Sequence, residues 1–339
     1  MRPVVFALAV LIPAAACAAP PPILDMHLHA RAADYAGVDA PPMCTPFEVM
    51  PYSYPREGVQ AGLAFARAPC SHPVQAAATD DAVMRDTLAA MQRLNIVGVV
   101  SGEPERVARW ASQAPGRVLQ AVDYRVADAP GSRHVGVRSI EELRALHGQG
   151  RLAVIGEVMA QYQGVQLDDA RLAPLWALAE ELDVPVAVHM GPGEPGQPYG
   201  GGGYRVALGD PLQLEPVLLR HPRLRVSVMH AGYPFGERMR ALMFSHPQVY
   251  AEIGGIVYSE PRPAFDAFLR GLVDAGYGDR ILFGSDQMIW PGVIESAVAR
   301  IEQATYLTAA QKRAILYDNA ARFLRLDAAQ RARHRAGSP

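Results

Sequence analysis

The sequence predicts an α/β fold, a single (β/α)8 TIM barrel with long loops at the C-terminal ends of its strands. Three observations carry this expectation. Eight short apolar runs alternate with segments of helical period, the rhythm of a parallel barrel. The 339 residues suit one barrel of about 250 residues with insertions. Half of the chain is hydrophobic and only 19% is charged, a composition that fills a large core and argues against disorder.

Each strand follows in order. Ile23 to His29 is the first candidate. Ile96 to Val100 comes after an amphipathic helix over Asp80 to Leu94, with Thr79 or Asp80 placed to cap it. Val118 to Val122 is the third strand, and Leu152 to Val158 the fourth, preceded by a helix over Ile140 to His147 and a Gly-Gln-Gly turn. Val184 to His189 is the fifth, after a helix over Ala170 to Leu182. Leu224 to His230, Val249 to Ile253 and Ile281 to Ser285 complete the eight, and a last helix over Ala309 to Leu324 packs outside. Three long connections, Ala30 to Ala78, Gly191 to Asp210 and Gly254 to Pro263, all follow strand C-termini, the face where barrels place their sites.

The termini divide the chain into residues 1–19, a barrel over 20–326 and a tail over 327–339. Arg2, the apolar run Val4 to Ile12 and the small residues Ala14 to Ala19 have the form of an export signal. The run is too short for the roughly 20 residues of a membrane span, so no stable membrane insertion is expected. Cys17 makes a lipoprotein site the weaker alternative to a periplasmic or secreted protein. In an oxidising compartment Cys44 and Cys70 can pair or stay as two buried thiols. A formal charge of -2 and no basic run leave nucleic acid out and a small molecule as the expected partner. Assembly into a homo-oligomer is compatible with the sequence.

The chemistry is concentrated at strand ends. In Asp25-Met26-His27-Leu28-His29, residues two apart share a strand face, so His27 and His29 point together into the barrel mouth. Buried imidazoles so close together need a partner or an ion. Glu157, His189, His230 and Asp286 each end an apolar run in the same way. The other six of the ten histidines (His72, His134, His147, His221, His246 and His334) fall in loops or helices and are expected to face solvent. Imidazole and carboxylate are the ligands zinc prefers, and other divalent metals tolerate the same set. A metal lowers the pKa of water toward about 7, and Asp286 is suited to move the proton. Arg205, flanked by Tyr199 and Tyr204 in the glycine-rich loop, is a candidate clamp for a substrate carboxylate. His72 is a candidate pocket cap, and Asp25 either orients a metal histidine or stabilises the strand end.

Taken in order, His27-x-His29, Gly156-Glu157, His230-Ala231-Gly232-Tyr233-Pro234, Phe283-Gly284-Ser285-Asp286 and Asn319-Ala320-Ala321-Arg322-Phe323-Leu324 resemble the amidohydrolase superfamily, in its amidohydrolase-related branch. The resemblance implies that His27, His29 and Asp286 hold one metal with His189 as a fourth ligand, and that His230 acts near the reacting carbon. It also admits a two-metal site in which Glu157 bridges the ions and His189 and His230 hold the second. The only lysine, Lys312, lies in the terminal helix and cannot be a carbamylated bridge. Glu157 is equally readable as a supporting or substrate-contacting residue. The implied activity is hydrolysis of an ester, lactone or amide bond, with non-oxidative decarboxylation as the rival and a binding protein without turnover as the third reading.

Overall fold

The computed structural model describes residues 19–337 apart from positions 38, 58–63, 66, 130–136 and 138. Cys17, almost all of the expected export segment and His134 lie outside the described residues. Among the described residues no helix is long and apolar enough to cross a membrane.

Eight parallel strands form the barrel: β1 (Ile23–Ala30), β2 (Ile96–Gly102), β3 (Val118–Tyr124), β4 (Val154–Val158), β5 (Val186–His189), β6 (Val226–Met229), β7 (Val249–Glu252) and β8 (Ile281–Leu282). They pair in sequence order. Main-chain bonds from Met26 N to Phe283 O and from His29 N to Gln287 O bring the last strand back onto the first. All eight expected runs are strands. β8 is shorter than expected because the chain after Leu282 leaves the ladder toward the site, and β6 stops before His230, which begins a 3-10 turn.

The core has two layers. Leu24, Met26, Val97, Val99, Ala121, Val154, Ala187, Met229 and Leu282 form a ring inside the barrel, and a larger cluster packs the helices onto its outside. The first layer ends where the polar site begins. Two irregularities make that change. β1 gains a residue between Asp25 and Leu28 relative to β2, and β4 gains one between Ile155 and Val158 relative to β5. Such β-bulges re-aim side chains next to sites. Leu24 and Met26 pack inside the barrel, whereas Leu28 and Ala30 pack outside it. The bulge therefore turns His27 and His29 inward.

The first long connection is pinned by a short antiparallel pair, Met43–Cys44 with Pro73–Val74, and by a disulfide between Cys44 and Cys70. The expected tail is folded in part: Ala328–Arg335 is a helix opened by an Asp327/Gln330 capping box. Its His334 is 6% exposed, with its carbonyl bonded by Asn95 and its ring by Tyr317, so the expectation of a solvated histidine is corrected there. His246, 9% exposed at the end of a helix, is corrected likewise, its carbonyl bonded by Val249 N and by Arg280.

Candidate metal centre

β1 delivers His27 and His29, both 1% exposed, into the mouth of the barrel. Their Nε2 atoms are 3.0 Å apart, and each lies 3.2 Å from Oδ1 of Asp286. A tetrahedral ion with bonds of about 2.0–2.1 Å has ligand atoms about 3.3 Å apart. The three atoms thus converge as a divalent cation requires. Asp286 comes from the segment after β8, where its N–H bonds to His27 O and φ is 51°.

Glu157 stands beside this trio, with Oε2 3.6 Å from His29 Nε2 and Oε1 3.7 Å from His189 Nε2. Ligand atoms of Glu157, His189 and His230 lie within 4.8 Å of one another and form a second candidate group. The ring centroids of His189 and His230 are 4.5 Å apart. All six sequence-expected metal residues are therefore brought together, and Glu157 sits between the two groups.

Proton positions follow from the partners. His230 Nδ1 lies 2.8 Å from the carbonyl of Gly254, which can only accept, so Nδ1 carries the proton and Nε2 keeps its lone pair. His29 Nδ1 meets the Ser101 hydroxyl at 2.9 Å. His189 Nδ1 accepts from the amide nitrogen of Gln161 at 2.8 Å, and its Nε2 is 3.1 Å from the Tyr162 hydroxyl. The amide oxygen of Gln161 is buried without a hydrogen bond. The amide nitrogen also donates to Gly191 O at 3.3 Å, so two acceptors fix its orientation.

Burial dominates the electrostatics. It pushes His27 and His230 down to about 4 and His29 and His189 well below the usual imidazole range. It raises Asp286 well above the carboxylate range, with the charges of Glu157 and Glu252 adding to the effect, and it raises Glu157 as well. Without a cation the cluster favours neutral imidazoles and protonated carboxyls, and a divalent ion reverses the second preference. Asp123 is the exception. Burial pushes it up, but the guanidinium of buried Arg31 outweighs that and holds it ionised.

The substrate candidates separate. Arg205 and Tyr199 are exposed, and Tyr199 is 64% accessible. No described contact joins either to the cluster. Tyr204 is buried and stacks on Tyr162 with centroids 5.7 Å apart, one ring away from His189. His72 is exposed and offers its carbonyl to Thr45. Asp25 holds the main-chain N–H groups of His27 and Ser285, each at 3.0 Å, so it secures the strand end and not an imidazole ring.

Several polar groups escaped sequence reasoning. Arg31 continues the two-residue alternation of His27 and His29, and it pairs with Asp123 while lying 3.9 Å from Glu157. Asp123 and Glu252 are single acids at the ends of apolar strands, a signal visible in the sequence. Gln161 sits in a 3-10 turn after β4, where nothing in the sequence marks it.

This fold and site define a metal-dependent (β/α)8 enzyme. The amidohydrolase family model matches residues 24–326, and the chain belongs to that family. Solved structures of similar fold include an uncharacterised TIM-barrel protein from Bordetella bronchiseptica, 19% identical over 92% of this chain and 100% of that one, with a TM-score of 0.57. A 5-carboxyvanillate decarboxylase from Sphingomonas paucimobilis is 14% identical over 91% of this chain and 100% of that one, with a TM-score of 0.55. A probable 2-pyrone-4,6-dicarboxylic acid hydrolase from Acinetobacter baumannii is 16% identical over 90% and 99% of the two chains, with a TM-score of 0.54. At these identities the likeness is one of fold. No curated protein matches the chain in sequence.

Proposed function

We propose that the protein hydrolyses an ester, lactone or amide bond in a small carboxylated molecule at a centre held by His27, His29 and Asp286. The convergence of two Nε2 atoms and one carboxylate oxygen at 3.0–3.2 Å carries this reading. A divalent ion, zinc being well suited to the donors, supplies the acidity that brings the pKa of water toward about 7. Asp286 takes up a proton at Oδ2, the oxygen not turned to the histidines, and returns it to the leaving group. His230, with its lone pair on Nε2, either accepts a proton beside the reacting carbon or joins Glu157 and His189 around a second ion. Arg125 supports a carboxylated substrate: its charge acts on Glu157 and His189, and its Nε is buried without an acceptor.

Decarboxylation is the second reading, favoured by the carboxyvanillate decarboxylase of similar fold. Turnover of candidate lactones and of aromatic acids in 18O-labelled water separates the two. Label in the organic product supports hydrolysis, and release of CO2 with an unlabelled organic product overturns it. A protein that binds both kinds of molecule and turns over neither would be a binding protein. The Cys44–Cys70 disulfide supports export to an oxidising compartment. N-terminal sequencing of the chain from fractionated cells tests this, and a retained Met1 in the cytoplasm would refute it.

A further inference from the structure

Glu252, at the end of β7, is fully buried, and no expected role accounts for it. Its Oε2 lies 3.1 Å from His27 Nδ1 and 3.3 Å from the main-chain nitrogen of His230. Its Oε1 accepts from the main-chain nitrogen of Gly254. Both oxygens are thus met by N–H donors, which suits a hydrogen-bonding anchor and leaves neither free to face an ion. This separates it from a ligand role, although His27, His230 and Glu252 are close enough together to suggest a metal group of their own.

The surroundings are shaped to this carboxylate. A Cβ at Gly284 would collide with Oε1, and one at Gly254 would come within 2.6 Å of it and 2.9 Å from His27 Nδ1. Two glycines from different strand ends therefore clear the space that Glu252 fills.

We propose that Glu252 is a positioning residue that holds His27 as the Nδ1–H tautomer and ties the His27 ring to the His230 main chain. This rests on the reading of His27 as a metal ligand. A proton on Nδ1 leaves the lone pair on Nε2, the atom that faces His29 and Asp286. Carboxylates that accept from the second nitrogen of a metal-binding histidine set its tautomer and its basicity. Because the same oxygen accepts from His230 N, one group sets both the ligand and the neighbouring histidine.

A Glu252→Gln substitution keeps the shape but must aim a donor at one of three donors. The expected result is metal affinity weakened about 10- to 100-fold in chelator competition, with the circular dichroism unchanged. Gly284→Ala, whose Cβ would meet both the Glu252 carboxylate and, at 2.7 Å, the Cβ of His27, should weaken binding in the same sense, and Gly271→Ala, with open space around it, should not. A folded Glu252→Gln protein with wild-type affinity would overturn the proposal. The decisive measurement needs no folded variant. In 15N spectra of the metal-free wild type, recorded at a pH above about 7 where Glu252 is ionised, His27, assigned by its loss in His27→Gln, should be protonated at Nδ1 and bare at Nε2. The opposite tautomer overturns the role of Glu252. If the wild type takes up no metal, the metal-centre reading falls, while the tautomer still decides this one.

Discussion

His230 and Asp286 both sit at positive φ, 54° and 51°, where a side chain other than glycine pays on the order of 1–3 kcal/mol. Strain of this kind persists where surrounding bonds impose it, here His230 Nδ1 on Gly254 O and Asp286 N on His27 O. Asp286→Ala should fold, and it should lose turnover by about 10²–10⁴-fold or more in steady-state kinetics, since the proposed mechanism uses one group as ligand and proton carrier. The raised pKa of Asp286 gives a pH dependence with a definite sign. Burial holds a proton there to higher pH than a free carboxyl keeps one, and an ion must displace it, so affinity weakens as pH falls, by about tenfold per unit for each proton displaced. Calorimetric titrations in buffers of different ionisation enthalpy should show that proton release, and pH-independent binding would contradict it. Arg31 is matched by Asp123 in the interior. Asp123→Ala strands that charge and should destabilise the protein by about 3–5 kcal/mol in denaturant titrations.

At the scale of elements, bulges and tethers place these residues. The extra residue in β1 turns His27 and His29 to the inside, and the one in β4 accompanies Glu157. The first long connection reaches the same face. Phe47 N bonds to Ser259 O, and the helix Ile256–Ser259 begins directly after Gly254 and Gly255, which border His230 and Asp286. The Cys44–Cys70 bridge closes a loop with a separation of 26 residues. Chain entropy values such a closure at about 3–4 kcal/mol. Cys44→Ser with Cys70→Ser should lower the melting temperature by several degrees and open the connection to proteolysis before the barrel. Equal resistance in both proteins would show that the bridge restrains nothing.

For the molecule as a whole, the cluster gathers four buried carboxyls, Asp25, Asp123, Glu157 and Glu252, with Asp286 13% exposed beside them, and among the described residues Arg31 is the buried cation that faces them. Elemental analysis of protein prepared without chelator should find one or two divalent ions per chain, and two would favour Glu157 as a bridge. Titration adds a second whole-molecule prediction. His27 and His230, lowered to about 4, contribute stability that is present above about 6.5 and lost as pH falls toward 4. Asp25 and Glu252, raised by burial to about 7, contribute stability that is present below their unfolded values near 4 and lost as pH rises through 7. The two pairs oppose each other between about 4.5 and 6.5. Metal-free protein should therefore show a nearly flat melting temperature across that window, and a steep slope of either sign would show that other groups dominate.

The strand count, the parallel order and the six residues that gather at the barrel mouth were legible in sequence, because each strand is a separate apolar run and each of those residues ends one. Local alternation places His27 and His29 on one face, and composition alone calls for one large core. Tertiary structure decided which face that is, since a bulge reverses the parity that Leu24 and Met26 would have continued. It alone joined Arg31 to Asp123 and Glu252 to His27, partners 92 and 225 residues apart. Periodicity is a property of neighbours along the chain, whereas a buried charge chooses its partner across the barrel by distance and desolvation, which only the closed sheet fixes.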